Sequence, residues 1–209
     1  MLTVRRRILF TLLSAALPFC VVSFFLVDKT LILYLDQFNH GLWRDFWKTL
    51  TRAGQSEWYL VTGLALYAWF RKRNRQLSQA GLFLFSTVAV SGLLADILKF
   101  LLGRARPKLF LQQGIYGFDF FHGHFDHAWT SFPSGHSATA LSIAMTLSLL
   151  LPRFRLVYMA GAVLVISSRV ILCQHYLSDV IAGSILGFIT AVLLYQRYFR
   201  TAPDENRII

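Results

Sequence analysis

Residues 156–195 read LVYMAGAVLVISSRVILCQHYLSDVIAGSILGFITAVLLY. Two runs, 156–168 and 180–195, are apolar enough to lie in a bilayer, yet the link between them carries Arg169, His175 and Asp179. Ionisable side chains at membrane depth are costly, and they persist where they pair with one another or line a polar cavity. This stretch therefore predicts two membrane helices joined at a functional rim.

The rest of the chain repeats the pattern. Of 209 residues, 56% are hydrophobic, 15% aromatic and 15% charged, a balance far from that of a soluble domain. Six apolar stretches stand out, at 8–27, 58–70, 77–95, 137–151, 156–168 and 180–195. Three of them approach the ~20 residues needed to span a hydrocarbon core, and the others reach that length only with their flanks at headgroup level. None shows the alternation of a membrane barrel strand, so helices remain as the way to satisfy the backbone within lipid. The expected fold class is all-α: one domain over 1–209, with six transmembrane helices in one bundle. The first run, which follows Arg5, Arg6 and Arg7, lacks a small-x-small site at its far end and is expected to be an uncleaved anchor. Cys20 and Cys173 show no paired spacing and are expected to be free thiols.

Threading six spans places twelve basic residues against two acidic ones on the side of the termini, and nine basic against eight acidic on the other. By the bias of Lys and Arg toward cytoplasmic loops, both termini are expected inside, with the 103–135 loop outside. The net charge of +11 is thus a topology signal and not the footprint of a nucleic-acid binder. Residues 39–52, NHGLWRDFWKTLTR, set Leu42, Trp43, Phe46, Trp47 and Leu50 on one face, as in a helix lying in the membrane interface.

Polar groups gather on the outer side in three segments: KFLLGRARP from Lys99 to Pro107, SFPSGHS from Ser131 to Ser137, and the link around His175. Lys99, Arg104, Arg106 and Arg169 would repel one another with only Asp96 and Asp179 nearby, unless an anion sat between them. Phosphate fits this demand. Ser134, Gly135 and His136 open a helix whose free N–H groups favour an anion, although Ser134 also reads as an ordinary cap. On a helix, His175 and Asp179 would share a face, leaving the carboxylate to orient an imidazole nucleophile. Asp96, three residues before Lys99, is expected to pair with it. His122, His124 and His127 near Asp126 form a weaker candidate for zinc or copper.

These segments read K-x6-R-P (Lys99 to Pro107), P-S-G-H (Pro133 to His136) and S-R-x5-H-x3-D (Ser168 to Asp179). In this order they resemble the signature of the type-2 phosphatidic acid phosphatase superfamily, which also includes vanadium-dependent haloperoxidases and bacterial acid phosphatases. The resemblance implies that His175 attacks phosphorus, Asp179 orients it and His136 protonates the leaving oxygen. It implies that Lys99, Arg106, Arg169, Ser134 and the Gly135 amide hold the phosphoryl oxygens, with Arg104 as a further candidate, and that no metal or other cofactor takes part. The partners it implies are a lipid phosphate or diphosphate substrate and the bilayer, with no nucleic acid and no obligate protein partner. The expected setting is the inner membrane of a bacterium, with the site facing the exterior. Candidate substrates are undecaprenyl diphosphate, phosphatidylglycerophosphate, phosphatidic acid and the 1-phosphate of lipid A. A transporter or phosphate-lipid-binding protein without turnover is the rival reading, although it gives no reason for the His and Asp four residues apart.

Overall fold

The computed structural model describes Ser14, residues 16–121 and residues 126–199. Arg5, Arg6 and Arg7, His122, His124 and the polar tail from Thr201 lie outside the described residues. Among the described residues eight helices follow one another: α1 (Ala16–Asp36), α2 (Gly41–Leu50), α3 (Ser56–Phe70), α4 (Arg75–Leu102), α5 (Pro107–Gln113), α6 (Gly135–Leu150), α7 (Arg155–Ile171) and α8 (Leu177–Leu194). A π-helical turn, Tyr195–Phe199, prolongs α8. Among the described residues there is no strand, only an isolated bridge between Arg104 and Phe118.

Among the described residues, four helical stretches are long and apolar enough to cross a membrane: Ala16–Asp36, Arg75–Leu102, Pro152–Ile171 and Leu177–Phe199. Gly135–Leu150 is apolar but shorter, and Ser56–Phe70 has 15 residues, so four spans are clear where six were expected. Large apolar side chains such as Phe25, Leu26 and Leu156 point outward, as lipid-facing residues do. The chain is a multi-pass helical membrane protein.

The apolar runs underestimated the helices at the end that carries the polar motifs. α1 does not stop at Val27: it passes through a π turn, Ser23–Val27, and continues to Asp36. α4 runs beyond Ala95 until Gly103, at φ 54°, turns the chain, so Lys99 stands in its last turn. α2 forms where the amphipathic pattern placed a helix, with Leu42, Trp43 and Phe46 exposed for contact with the interface.

α6 lies at the centre, against α4, α7 and α8. Its inward residues are small or hydroxylated, so neighbouring backbones approach closely and bond across the bundle: Thr87 to Thr146 at 3.0 Å and Ser142 to Ser91 at 2.9 Å. On α8, a Cβ at Gly183 would lie 2.3 Å from the carbonyl oxygen of Ser134, and one at Gly187 would lie 2.2 Å from that of Ala138. Only glycine fits either place. This contact sets the opening of α6 beside that of α8, where the amide of Ser134 donates to the carbonyl of Asp179 at 3.0 Å.

Candidate active site

The ends of α4, α7 and α1 and the starts of α6 and α8 place the three motifs at one end of the bundle. Ser134 caps α6: its Oγ accepts from the amide and the hydroxyl of Ser137, leaving its own proton for another acceptor. A Cβ on Gly135 would come within 3.2 Å of the Lys99 ammonium, so this glycine keeps that cation close to the start of the helix. Lys99 is bonded to Asp96 at 2.8 Å, as the spacing predicted, and Asp96 is itself largely exposed. The 3₁₀ turn Thr51–Gly54 ties two further members together. Thr51 accepts from Arg169 at 3.0 Å, while a Cβ at Gly54 would meet the His136 ring at 3.1 Å.

Arg106 and Arg169 are each 8% exposed, and among the described residues neither is paired with a carboxylate. Among the described residues the Arg106 side chain reaches only Thr130, at its carbonyl and hydroxyl, and the Nε of both arginines lacks a partner. Burial presses Arg106 down to about 10, with Asp179 acting the other way, so it stays cationic at neutral pH. Two buried guanidinium groups without counterions, next to a lysine, make a socket for an anion.

His175 stands outside any helix. α7 ends at Ile171, Cys173 takes a left-handed φ of 50°, and α8 begins only at Leu177. The imidazole therefore does not share a helical face with Asp179, and the expected direct bond is absent: Nδ1 lies 3.6 Å from Asp179 Oδ2. Nδ1 instead meets the carbonyl oxygen of Ser131 at 2.8 Å. A carbonyl only accepts, so Nδ1 carries the proton and Nε2 keeps its lone pair. Asp179 acts one step back, accepting from the Ser131 hydroxyl at 2.6 Å and the Tyr176 amide at 2.8 Å. Burial first, and then Arg106, Arg169 and Lys99, hold His175 well below the ordinary histidine value, so the ring is neutral at pH 7.

Arg104 corrects another expectation. Its side chain is 0% exposed, and both Nη atoms are bonded to protein acceptors. Nη1 donates to Asp179 Oδ1, in a very short contact, and to Ser178 Oγ at 2.7 Å; Nη2 donates to Asp28 Oδ2 at 2.8 Å and to Tyr116 Oη at 3.2 Å. The rings of Phe24, Phe118 and Tyr176 enclose the guanidinium at 4.5 to 5.2 Å. Arg104 is thus held as a buried ion-pair partner of Asp28 and Asp179.

Ser131, Thr130, Thr51 and Asp28 were missed in the sequence. Ser131 stands beside the PSGH motif, so adjacency was its only signal; Thr51 and Thr130 had none. Asp28 had one: an acid directly after an apolar run. His127, the described member of the histidine loop, sits in a 3₁₀ turn, and among the described residues no three potential ligands gather for a metal. Cys20 and Cys173 are free.

Comparison with known proteins places this geometry in context. Residues 80–202 match the PAP2 superfamily. Two curated relatives are named lipid A 1-phosphatase. That of Rhizobium johnstonii is 39% identical, covering 74% of this chain and 70% of its own; that of Rhizobium etli is 38% identical, covering 77% and 76%. Among solved structures, Aquifex aeolicus LpxE aligns with a TM-score of 0.60 at 23% identity, over 81% of this chain and 95% of its own. A transmembrane PAP2-type phosphatidylglycerolphosphate phosphatase from Bacillus subtilis aligns with a TM-score of 0.61 at 21% identity, over 90% and 98%. At these identities the two structures speak for the shared fold.

Proposed function

Because the chain belongs to the PAP2 superfamily, we propose that its socket of uncompensated cations receives the phosphate of a membrane lipid and that His175 displaces the lipid from it. The protein is a lipid phosphate phosphatase. The substrate we assign is lipid A carrying a 1-phosphate, on the strength of the two relatives of that name. Undecaprenyl diphosphate, phosphatidylglycerophosphate and phosphatidic acid are the competitors to be measured beside it.

The chemistry follows from the atoms in place. The Nε2 lone pair of His175 attacks phosphorus and the bond to the lipid oxygen breaks. Burial, then Arg169, Lys99 and Arg106, press His136 down to about 3 in the empty site; the bound phosphate dianion offsets those cations, so His136 takes up a proton with the substrate and gives it to the leaving oxygen. Water then attacks the phosphohistidine, His136 takes a proton from it, and inorganic phosphate leaves with His175 restored. Arg106, Arg169, Lys99, the Ser134 hydroxyl and the Gly135 amide hold the three equatorial oxygens, where charge stabilisation contributes most to phosphoryl transfer. We assign no cofactor to these steps. Our reading is of one functional unit with six spans, in the inner membrane of a bacterium, with both termini cytoplasmic and the site at headgroup height outside. A lipid can enter such a site sideways while its tails remain in the bilayer.

The observation that carries this reading is the pair of buried, carboxylate-free arginines beside a neutral imidazole with a free Nε2. The test is phosphate release from the four lipids by the purified protein in detergent with EDTA. We expect turnover, fastest on the lipid A phosphate, and its loss by about 10⁴-fold or more in His175→Ala, with lipid binding retained. Binding without turnover in the wild type would establish the transporter or binding-protein reading instead.

A further inference from the structure

Asp28 lies in the first helix, far in sequence from the residues that match the superfamily, and none of the three motifs contains it. It is 0% exposed. Just before it the helix widens into the π turn, where the Asp28 amide reaches back five residues to the carbonyl of Ser23. Such turns often redirect side chains at functional sites. Here the redirected carboxylate meets a dense set of donors. Oδ1 accepts from the Ser23 hydroxyl at 3.0 Å and the Ser178 amide at 3.0 Å; Oδ2 accepts from Arg104 Nη2 at 2.8 Å and, in a very short contact, from the Ser178 hydroxyl.

From this arrangement we infer that Asp28 is a positioning residue for the phosphatase reaction, acting through Arg104 and Ser178 on Asp179 and so on His175. The inference rests on the function proposed above. The connected path is short: Asp28 to Arg104, Arg104 to Asp179, Asp179 to the Ser131 hydroxyl, and the Ser131 carbonyl to His175 Nδ1.

Two physical consequences distinguish this role from simple anchoring of α1. First, Asp28 occupies Nη2, so Arg104 offers only Nη1 to Asp179 and cannot close a two-pronged fork on it. The other carboxylate oxygen of Asp179 stays free to hold Ser131 and the Tyr176 amide. Second, two carboxylates now share one guanidinium, so the buried unit of Asp28, Arg104 and Asp179 keeps one formal negative charge. When His175 becomes phosphorylated its ring gains positive character, and this residual charge lies behind it. Without Asp28, Arg104 would neutralise Asp179 and the support would vanish.

The test measures kcat, KM and thermal stability in detergent, on the lipid phosphate that the wild type hydrolyses fastest. In Asp28→Asn, which keeps the shape of the side chain but not its charge, kcat should fall about 10- to 100-fold, as it does when an outer partner of a reacting group is lost, with KM unchanged. A wild-type kcat together with a lowered melting temperature would mean that Asp28 only anchors the helix, and would overturn the inference. A raised KM at unchanged kcat would overturn it too. Should the Asn variant fail to fold, Asp28→Ser decides, because it also removes the charge and frees Arg104 Nη2 while leaving room for a water in place of the carboxylate. A reduced kcat at unchanged KM supports the inference, and a wild-type kcat refutes it. A wild type inert toward all four lipids removes the proposed function and this inference together, whereas an active wild type with an equally active Asp28→Asn removes this inference alone.

Discussion

Arg104 and Arg106 stand two residues apart in one stretch, with the same side chain and almost equally buried, yet they live in opposite electrostatic surroundings. The Nη atoms of Arg104 bond to two carboxylates, a serine and a tyrosine, whereas Arg106 finds one threonine. Both leave Nε unused, so the difference lies in counterions and not in a tally of free N–H groups. A charge that the protein has already compensated stabilises the fold. A charge left uncompensated waits for a ligand.

The largest effects should separate these two roles. Arg106→Ala should lower kcat/KM about 10²- to 10³-fold, as losing one preorganised donor does, while the melting temperature holds. Arg104→Ala should destabilise the protein by about 3–5 kcal/mol, because two buried carboxylates lose the cation between them. A thermal melt and a rate assay on each variant check this, and a stable, slow Arg104→Ala beside an unstable Arg106→Ala would break the comparison.

Inorganic phosphate should stabilise the wild type, by about 2.7 kcal/mol at a hundred times its Kd, and Arg106→Ala should lose most of that gain. An equal upward shift in both proteins would show the anion bound elsewhere.

A pH profile sharpens the comparison from the side of His175, the nucleophile we propose. The free cations and burial depress His175, so the acid limb of kcat/KM should fall below about 6.5, the ordinary histidine value. The sign for stability is the same. Below that pH the unfolded chain takes up a proton that folded His175 refuses, so stability present above it is lost on acidification. An acid limb above 6.5 would contradict a neutral, cation-flanked ring.

The smallest change belongs to Asp96, whose carboxylate is largely in solvent though bonded to Lys99. Asp96→Asn should alter kcat/KM by about twofold at most, since exposed pairs contribute little. A loss comparable with that of Arg106→Ala would move Asp96 into the working set.

The helical membrane fold was legible because apolar runs of that length leave the backbone no other choice, and the motifs were legible because they recur in order. The roles within a motif were not. The motif marks Arg106 and leaves Arg104 a further candidate, but nothing local shows that Arg104 is an ion-pair partner; that depends on Asp28, 76 positions away from it. Asp28 itself was hidden because hydropathy stops a span at the first charged residue, while the helix continues once that charge finds donors. Likewise the i, i+4 spacing of His175 and Asp179 suggested a shared helical face, but Cys173 turns the chain and a carbonyl from Ser131 takes the place in between. Counting six spans from sequence was also less secure than the bundle itself, because α3 and α6 are short.

The contact of Gly183 and Gly187 with the backbone of α6 acts as a fulcrum one turn below the phosphate socket. A methyl group there would be a wedge, and the two rods it pried apart carry Ser134 at one tip and Asp179 at the other. The spacing of Ser134 and Asp179 at the end of the bundle is therefore held by a backbone-to-backbone contact that tolerates no side chain.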